Sequence, residues 1–166
     1  MKHPIWSNFF RKNKETLSQV QLTLKQIPVF QGLSTRELSA IENILHRREY
    51  QKGEIIFKEN TPGLGMYIIL EGKVSISGRN TNNQTVNFAN LETGDFFGEV
   101  SLIDESFRSA NATSETECHL VAFFKEELMH ILKHSPKLGN KLLLNLAQVI
   151  SSRLKKTNES LQNLSG

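Results

Sequence analysis

The hydrophobic period of this chain changes twice, and that restricts the folds open to it. Up to about residue 45, apolar side chains recur at helical steps. Leu17, Val20, Leu24 and Ile27 form one stripe that Pro28 ends, and Leu38, Ile41, Ile44 and Leu45 form the next. Ser34, with Glu37 three residues on, reads as a capping box that opens the second helix. From about 46 to 124 the period falls to two, with strands expected at Ile55–Phe57, Met66–Leu70, Val74–Ser77, Thr85–Phe88 and His119–Phe123. Lys52-Gly53, Pro62-Gly63, Glu71-Gly72, Asn82-Asn83 and Thr93-Gly94 supply the turns between them. Beyond 125 the helical period returns, first from Glu126 to His134 and then, past Pro136, from about 137 to 164. The expected fold is α+β: an antiparallel β-roll (jelly roll) flanked by N-terminal helices and a long C-terminal helix. Residues 1–24 read as a helical extension and 25–166 as one domain, with the roll at about 46–124 and the C-terminal helices at 125–164.

A chain of 166 residues can bury a core as one domain unaided. Its longest apolar runs, such as Met66–Leu70 and Leu142–Leu144, fall far short of the ~20 residues of a membrane span. Met1–Trp6 has no apolar stretch behind its basic residue, so no secretory signal is expected. Cys118 is the only cysteine, which excludes an internal disulfide or a cysteine-built zinc site and points to a reducing cytoplasm. The net charge of +3 suits an anionic ligand but is too weak to argue for nucleic acid. The clusters Arg11, Lys12, Lys14 and Arg153, Lys155, Lys156 read as solvated faces. His130 and His134 stand at metal-binding spacing without an acidic partner, and read as a surface pair. Pro62–Gly65 lacks the lysine of a phosphate loop and reads as a turn. No serine or cysteine is placed beside a histidine base, so no enzyme, cofactor or metal is expected.

The chemistry concentrates in Gly94–Ala110. Gly98 allows close backbone approach, and Val100–Ile103 fits one helical turn whose N–H groups could face an anion. Arg108 offers a planar fork for two phosphate oxygens. Glu99, an acceptor when ionised, suits a sugar hydroxyl. An anion beside a sugar hydroxyl describes a nucleotide. Read alone, the same residues also fit a surface turn with an exposed ion pair, worth under about 1 kcal/mol.

Phe97-Gly98-Glu99-Val100-Ser101-Leu102, followed by Arg108-Ser109-Ala110, resembles the phosphate-binding cassette of the cyclic-nucleotide-binding family. Met66–Val74 resembles that family's strand–glycine–strand signature, Gly94-Asp95 the turn entering the cassette, and Pro28–Ser34 the usual entry to the domain. The likeness spans roughly residues 25 to 165. It implies cyclic AMP or cyclic GMP as ligand, Glu99 on the ribose 2′-hydroxyl and Arg108 on the cyclic phosphate. Ser109 would add a hydroxyl to the phosphate or a purine edge, and backbone N–H groups around Gly98, Val100 and Ser101 would complete the cradle. Val86 and Phe88 are expected to wall the base. Val100 and Ser101 stand where leucine and alanine are commoner in the family.

The last helix carries Ala147, Ile150, Leu154, Thr157, Leu161 and Leu164 at alternating steps of three and four. This seam can face either the chain's own roll or a second subunit. Ser152–Leu164 resembles the dimer helix of the catabolite-activator branch of the family. The resemblance puts Thr157 against an adenine amino group and Asn158 toward the partner's ligand, with asparagine replacing the usual serine. The chain reaches Gly166 without a helix-turn-helix, so direct DNA binding is not expected and the downstream protein partner is not readable. The resulting expectation is a stand-alone regulatory module that switches its C-terminal helix on binding cyclic AMP or cyclic GMP. The alternative is a ligand-free interaction scaffold on the same roll.

Overall fold

The computed structural model describes residues 17–164. The basic cluster Arg11, Lys12, Lys14 and residues 1–16 of the expected extension lie outside them. Helix α1 (Gln19–Gln26) opens on a capping box in which Ser18 Oγ accepts from the Gln21 backbone. The Ser18 hydroxyl and Gln21 amide also donate to Glu42 at 2.8 and 2.7 Å, tying α1 to helix α2 (Thr35–Glu42). Val20 and Leu24 belong to the main core, so the expected division at residue 24 falls inside a helix that packs with the domain. A 3₁₀ turn over Pro28–Phe30 separates the two helices, and the Ser34–Glu37 capping box starts α2 where the sequence places it.

Among the described residues eight strands follow, in two four-stranded antiparallel sheets. One runs β1 (His46–Tyr50), β8 (Cys118–Phe124), β3 (Gly65–Glu71), β6 (Phe96–Phe97). The other runs β2 (Ile55–Phe57), β7 (Asn111–Ser114), β4 (Lys73–Arg79), β5 (Thr85–Glu92). Helices α3 (Lys125–His134) and α4 (Pro136–Leu164) complete the described residues, Pro136 standing where a missing N–H costs nothing. This is the expected α+β roll between helices. His130 and His134 stack on the exposed face of α3 with ring centroids 4.1 Å apart.

Strands β3 and β8 separate two cores by strict alternation. Met66, Ile68, Val121 and Phe123 face the helices, where Leu24, Phe30, Leu38, Leu128, Leu142 and Leu146 meet them. Ile69, Cys118 and Leu120 face the interior of the roll with Val74, Phe97 and Ala112. Helix α4 spends Leu142, Leu146 and Val149 on the first core, while every described residue from Ser151 onward is exposed. Of the seam, Ile150 is half-buried and packs against the first core, while Ala147, Leu154, Thr157 and Leu161 are exposed. The side chain of Leu164 lies outside the described residues.

Candidate functional site

A cavity of about 560 Å³ opens between the cassette, the roll interior and α4. Its floor is set by one glycine. Gly98 has φ +76°, and a Cβ built there would stand 2.5 Å from Arg108 Nη1 and 3.1 Å from the Gly65 carbonyl oxygen. Any side chain would therefore be strained and would displace the arginine. From Gly98 the chain enters a 3₁₀ turn over Glu99–Leu102, the single turn expected near Val100–Ile103 but one residue earlier. Leu102 anchors the turn in the helix-side core, and Glu99 and Ser101 are buried with it.

Arg108 is 7% exposed. Its Nη1 donates to Ser101 Oγ at 2.9 Å and to the Gly98 carbonyl at 3.3 Å, and its Nη2 to the Gly65 carbonyl at 2.7 Å. These bonds engage three of the five guanidinium N–H groups. Nε is buried without a partner, and no ion pair of Arg108 exists among the described residues. Burial holds the guanidinium below its ordinary pKa, with Tyr67 and Glu99 acting in the opposite sense. A buried cation that has kept N–H groups and no counter-charge has the chemistry to accept an anion.

Glu99 is the complementary half. It is 2% exposed, and Oε1 accepts from Arg153 Nη1 at 2.6 Å while Oε2 is buried and unpaired. Arg153 reaches down from α4, also donating to the Phe96 carbonyl at 3.3 Å and lying over the Phe96 ring at 4.8 Å. Glu99, Arg108 and Arg153 are the ionisable side chains lining the cavity, and the Glu99–Arg153 pair leaves one uncompensated positive charge.

The structure thus brings together Gly98, Glu99, Val100, Ser101, Arg108 and Ser109 around one cavity. Ser101 contributes its hydroxyl to Arg108, where the sequence suggests only its backbone. Val86 and Phe88 are a correction. Both are exposed outside the cavity, at 37% and 56%, and the cavity is lined instead by Leu91 and by Ala89 with its strand partner Ile76. A strand has period two, so a one-residue error of register exchanges its faces, and Phe88 instead covers Gly78 on the outer face. Thr157 and Asn158 are also exposed and away from the cavity of their own chain, and the Thr157 hydroxyl donates to the Arg153 carbonyl at 2.9 Å. Arg153, which the sequence groups with solvated lysines, is the residue of α4 that meets the cassette. Its signal is position, four residues before Thr157 on the face the resemblance assigns to the ligand.

Fold and site together give a β-roll with one cavity in which a buried guanidinium and a buried carboxylate oxygen both lack partners. The profile of the family described as "Cyclic nucleotide-binding domain" matches residues 47–135, more than half of the chain. The cyclic AMP receptor protein of Thermus thermophilus is 32% identical over 142 residues, covering 86% of this chain and 64% of that protein. The crystal structure of the Thermus thermophilus catabolite activator protein superposes with a TM-score of 0.75 at 32% identity, over 84% of this chain and 63% of that one. A cyclic nucleotide-binding domain from Methylobacillus flagellatus superposes with a TM-score of 0.77 at 23% identity, over 87% and 82% of the two chains, a likeness of fold. The chain belongs to the cyclic nucleotide-binding domain family. It spans less than two thirds of the length of the Thermus relative. Among the described residues no helix is long and apolar enough to cross a membrane.

Proposed function

We propose that the chain binds a 3′,5′-cyclic purine nucleotide, cyclic AMP foremost, and passes the event to α4 as a regulatory module. One observation carries this reading: a buried guanidinium with free N–H groups and a buried carboxylate oxygen without a donor line the same cavity. Unpaired buried polar groups cost a few kcal/mol each, and a ligand that supplies both partners removes that cost. The cyclic phosphate would take the Arg108 fork, the ribose 2′-hydroxyl would donate to Glu99 Oε2, and Ile76, Ala89 and Leu91 would cover the apolar face of the ligand. The charge balance favours this class of anion. A cyclic phosphodiester carries one negative charge and neutralises the single uncompensated cation, whereas a 5′-monophosphate would bring a second charge into a buried site. The cyclic AMP preference rests on the Thermus relative, named a cyclic AMP receptor protein, and on the resemblance that assigns Thr157 to an adenine edge.

The route to α4 is the Glu99–Arg153 bridge, because Glu99 would bond the ligand through one oxygen and the helix through the other. A ligand shifts α4 only by binding its two positions unequally. A dissociation constant near ~1 μM corresponds to about 8 kcal/mol, and a fraction of it suffices. The same reading makes the seam of Ala147, Ile150, Leu154, Thr157 and Leu161 a contact with a second copy. That contact would bring Thr157 and Asn158 toward the partner's cavity.

Calorimetric titration with cyclic AMP, cyclic GMP and 5′-AMP tests the assignment. The expected result is micromolar binding of a cyclic nucleotide, much weaker binding of 5′-AMP, and loss of binding in Arg108→Ala. Absence of both heat and thermal stabilisation with either cyclic nucleotide would overturn it and leave an interaction scaffold.

A further inference from the structure

Buried arginines are ordinarily held by acids, and Arg108 is held by something else. Its Cζ lies 4.0 Å from the ring centroid of Phe57 and 6.0 Å from that of Tyr67. Phe57, Tyr67 and Phe97 form one aromatic group, with centroids 5.5 to 6.0 Å apart. Phe57 reaches this place because β2 does not pair evenly with β7. Ile55 faces Thr113 and Phe57 faces Ala112, an irregularity that re-aims the last side chain of the strand into the cavity.

We propose that Phe57 is a positioning residue for Arg108, holding the guanidinium against its ring face so that it stays buried, oriented and free of any carboxylate. The inference rests on the reading that Arg108 receives the ligand's anion. An acid in this place would orient the arginine equally well but would neutralise it and compete with the phosphate. An aliphatic side chain would exclude water but offer no negative face, leaving the cation with hydrogen bonds to Ser101, Gly98 and Gly65 and the more distant Tyr67 ring. An aromatic ring supplies attraction through its quadrupole without consuming an N–H group or cancelling the charge.

The test changes the ring's electrostatics at nearly constant shape. Phenylalanine at position 57 of the full chain is replaced by mono-, di- and trifluorophenylalanine, and cyclic AMP affinity is measured by calorimetry beside Phe57→Leu. Affinity should fall stepwise with fluorination, by roughly 5- to 30-fold in total, the span expected when a desolvated cation–π contact is lost. The penalty for removing the ligand's 2′-hydroxyl should stay constant along the series, because Glu99 sets it. That constancy separates positioning of Arg108 from a general loosening of the cavity. If the trifluoro chain binds within about two-fold of the native one, or if the 2′-deoxy penalty collapses in parallel, the role assigned to Phe57 is wrong while the nucleotide reading stands. If the unsubstituted chain binds no cyclic nucleotide, the nucleotide reading itself fails. The fluorinated series does not depend on whether Phe57→Leu folds.

Discussion

Arg153, whose side chain is 49% exposed on α4, is the only ion-pair partner among the described residues of Glu99, whose side chain is 2% exposed. The pair is lopsided: one member can be hydrated when the contact opens, the other cannot. Opening it therefore leaves a buried carboxylate without its cation, and α4 is held to the roll at Arg153 by the carboxylate's need for a partner.

Arg153→Ala should lower stability by about 1–3 kcal/mol, discounted from the cost of breaking a fully buried pair because the arginine is half in water. Urea unfolding at neutral pH gives the magnitude. Hydrogen exchange should show residues 150–164 less protected in the variant, and cyclic AMP should no longer alter their protection. Unchanged protection of this segment would break the proposed link between ligand and helix.

Glu99 Oε2 makes a second, sharper prediction. A hydroxyl donating to a charged oxygen contributes about 1.5–3 kcal/mol, so 2′-deoxy cyclic AMP should bind the native chain roughly 10- to 100-fold more weakly than cyclic AMP. In Glu99→Gln the two ligands should converge, because the amide is a weaker acceptor and also loses Arg153. Competition titration of both nucleotides against both chains reads the effect directly.

The cassette was legible because its chemistry lies in consecutive residues: Gly98, Glu99 and Arg108 stand in one segment, and local spacing is enough to bring them to one cavity. The five strands expected from period-two patterning are all present. Strand β1, His46–Tyr50, escapes such reading because it is an edge strand, with four of its five residues exposed and charged or imidazole side chains at those positions. Strand β7, Asn111–Ser114, alternates correctly but buries only Ala112 and Ser114, too small to register as hydrophobic. The walls of the cavity were not legible for a different reason. Phe57, Ala89 and Arg153 reach it from three elements distant in sequence, through a register irregularity, a strand face and a helix orientation that only tertiary packing decides.

The strand face is itself testable. Phe88→Ser removes a half-covered ring from the outer face of β5 and should leave cyclic AMP affinity within about two-fold, with a stability loss of about 1–2 kcal/mol from its packing over Gly78. Ala89→Leu puts three further carbons into the cavity from the adjacent position and should weaken binding at least tenfold while the chain still folds. Calorimetry on the two variants decides the register, and a larger loss from Phe88→Ser than from Ala89→Leu would reverse it.

Alkaline pH probes the aromatic group behind the arginine. Tyr50 ends β1 among the residues that pack on the roll core, and burial, with Tyr67 second, pushes its pKa up to about 12 from 10.0. In the unfolded chain the same phenol loses its proton near about pH 10. Between about pH 10 and 12 the unfolded state therefore binds fewer protons than the native state, and stability falls as pH rises through that window; below it, this contribution is fully present. Tyr50→Phe removes the group and should flatten the decline measured by urea unfolding at stepped pH. Absorbance titration of the native chain beside Tyr50→Phe shows the phenol ionisation that the substitution removes. Tyr67 stacks on Phe97 at 5.5 Å and lies 6.0 Å from Arg108. Ionising Tyr50 thus brings negative charge toward the ring group that backs the ligand's cation. Cyclic AMP affinity should decline in that same pH window in the native chain, and to a lesser extent in Tyr50→Phe. Equal declines in both chains would show that Tyr50 plays no part in holding that group.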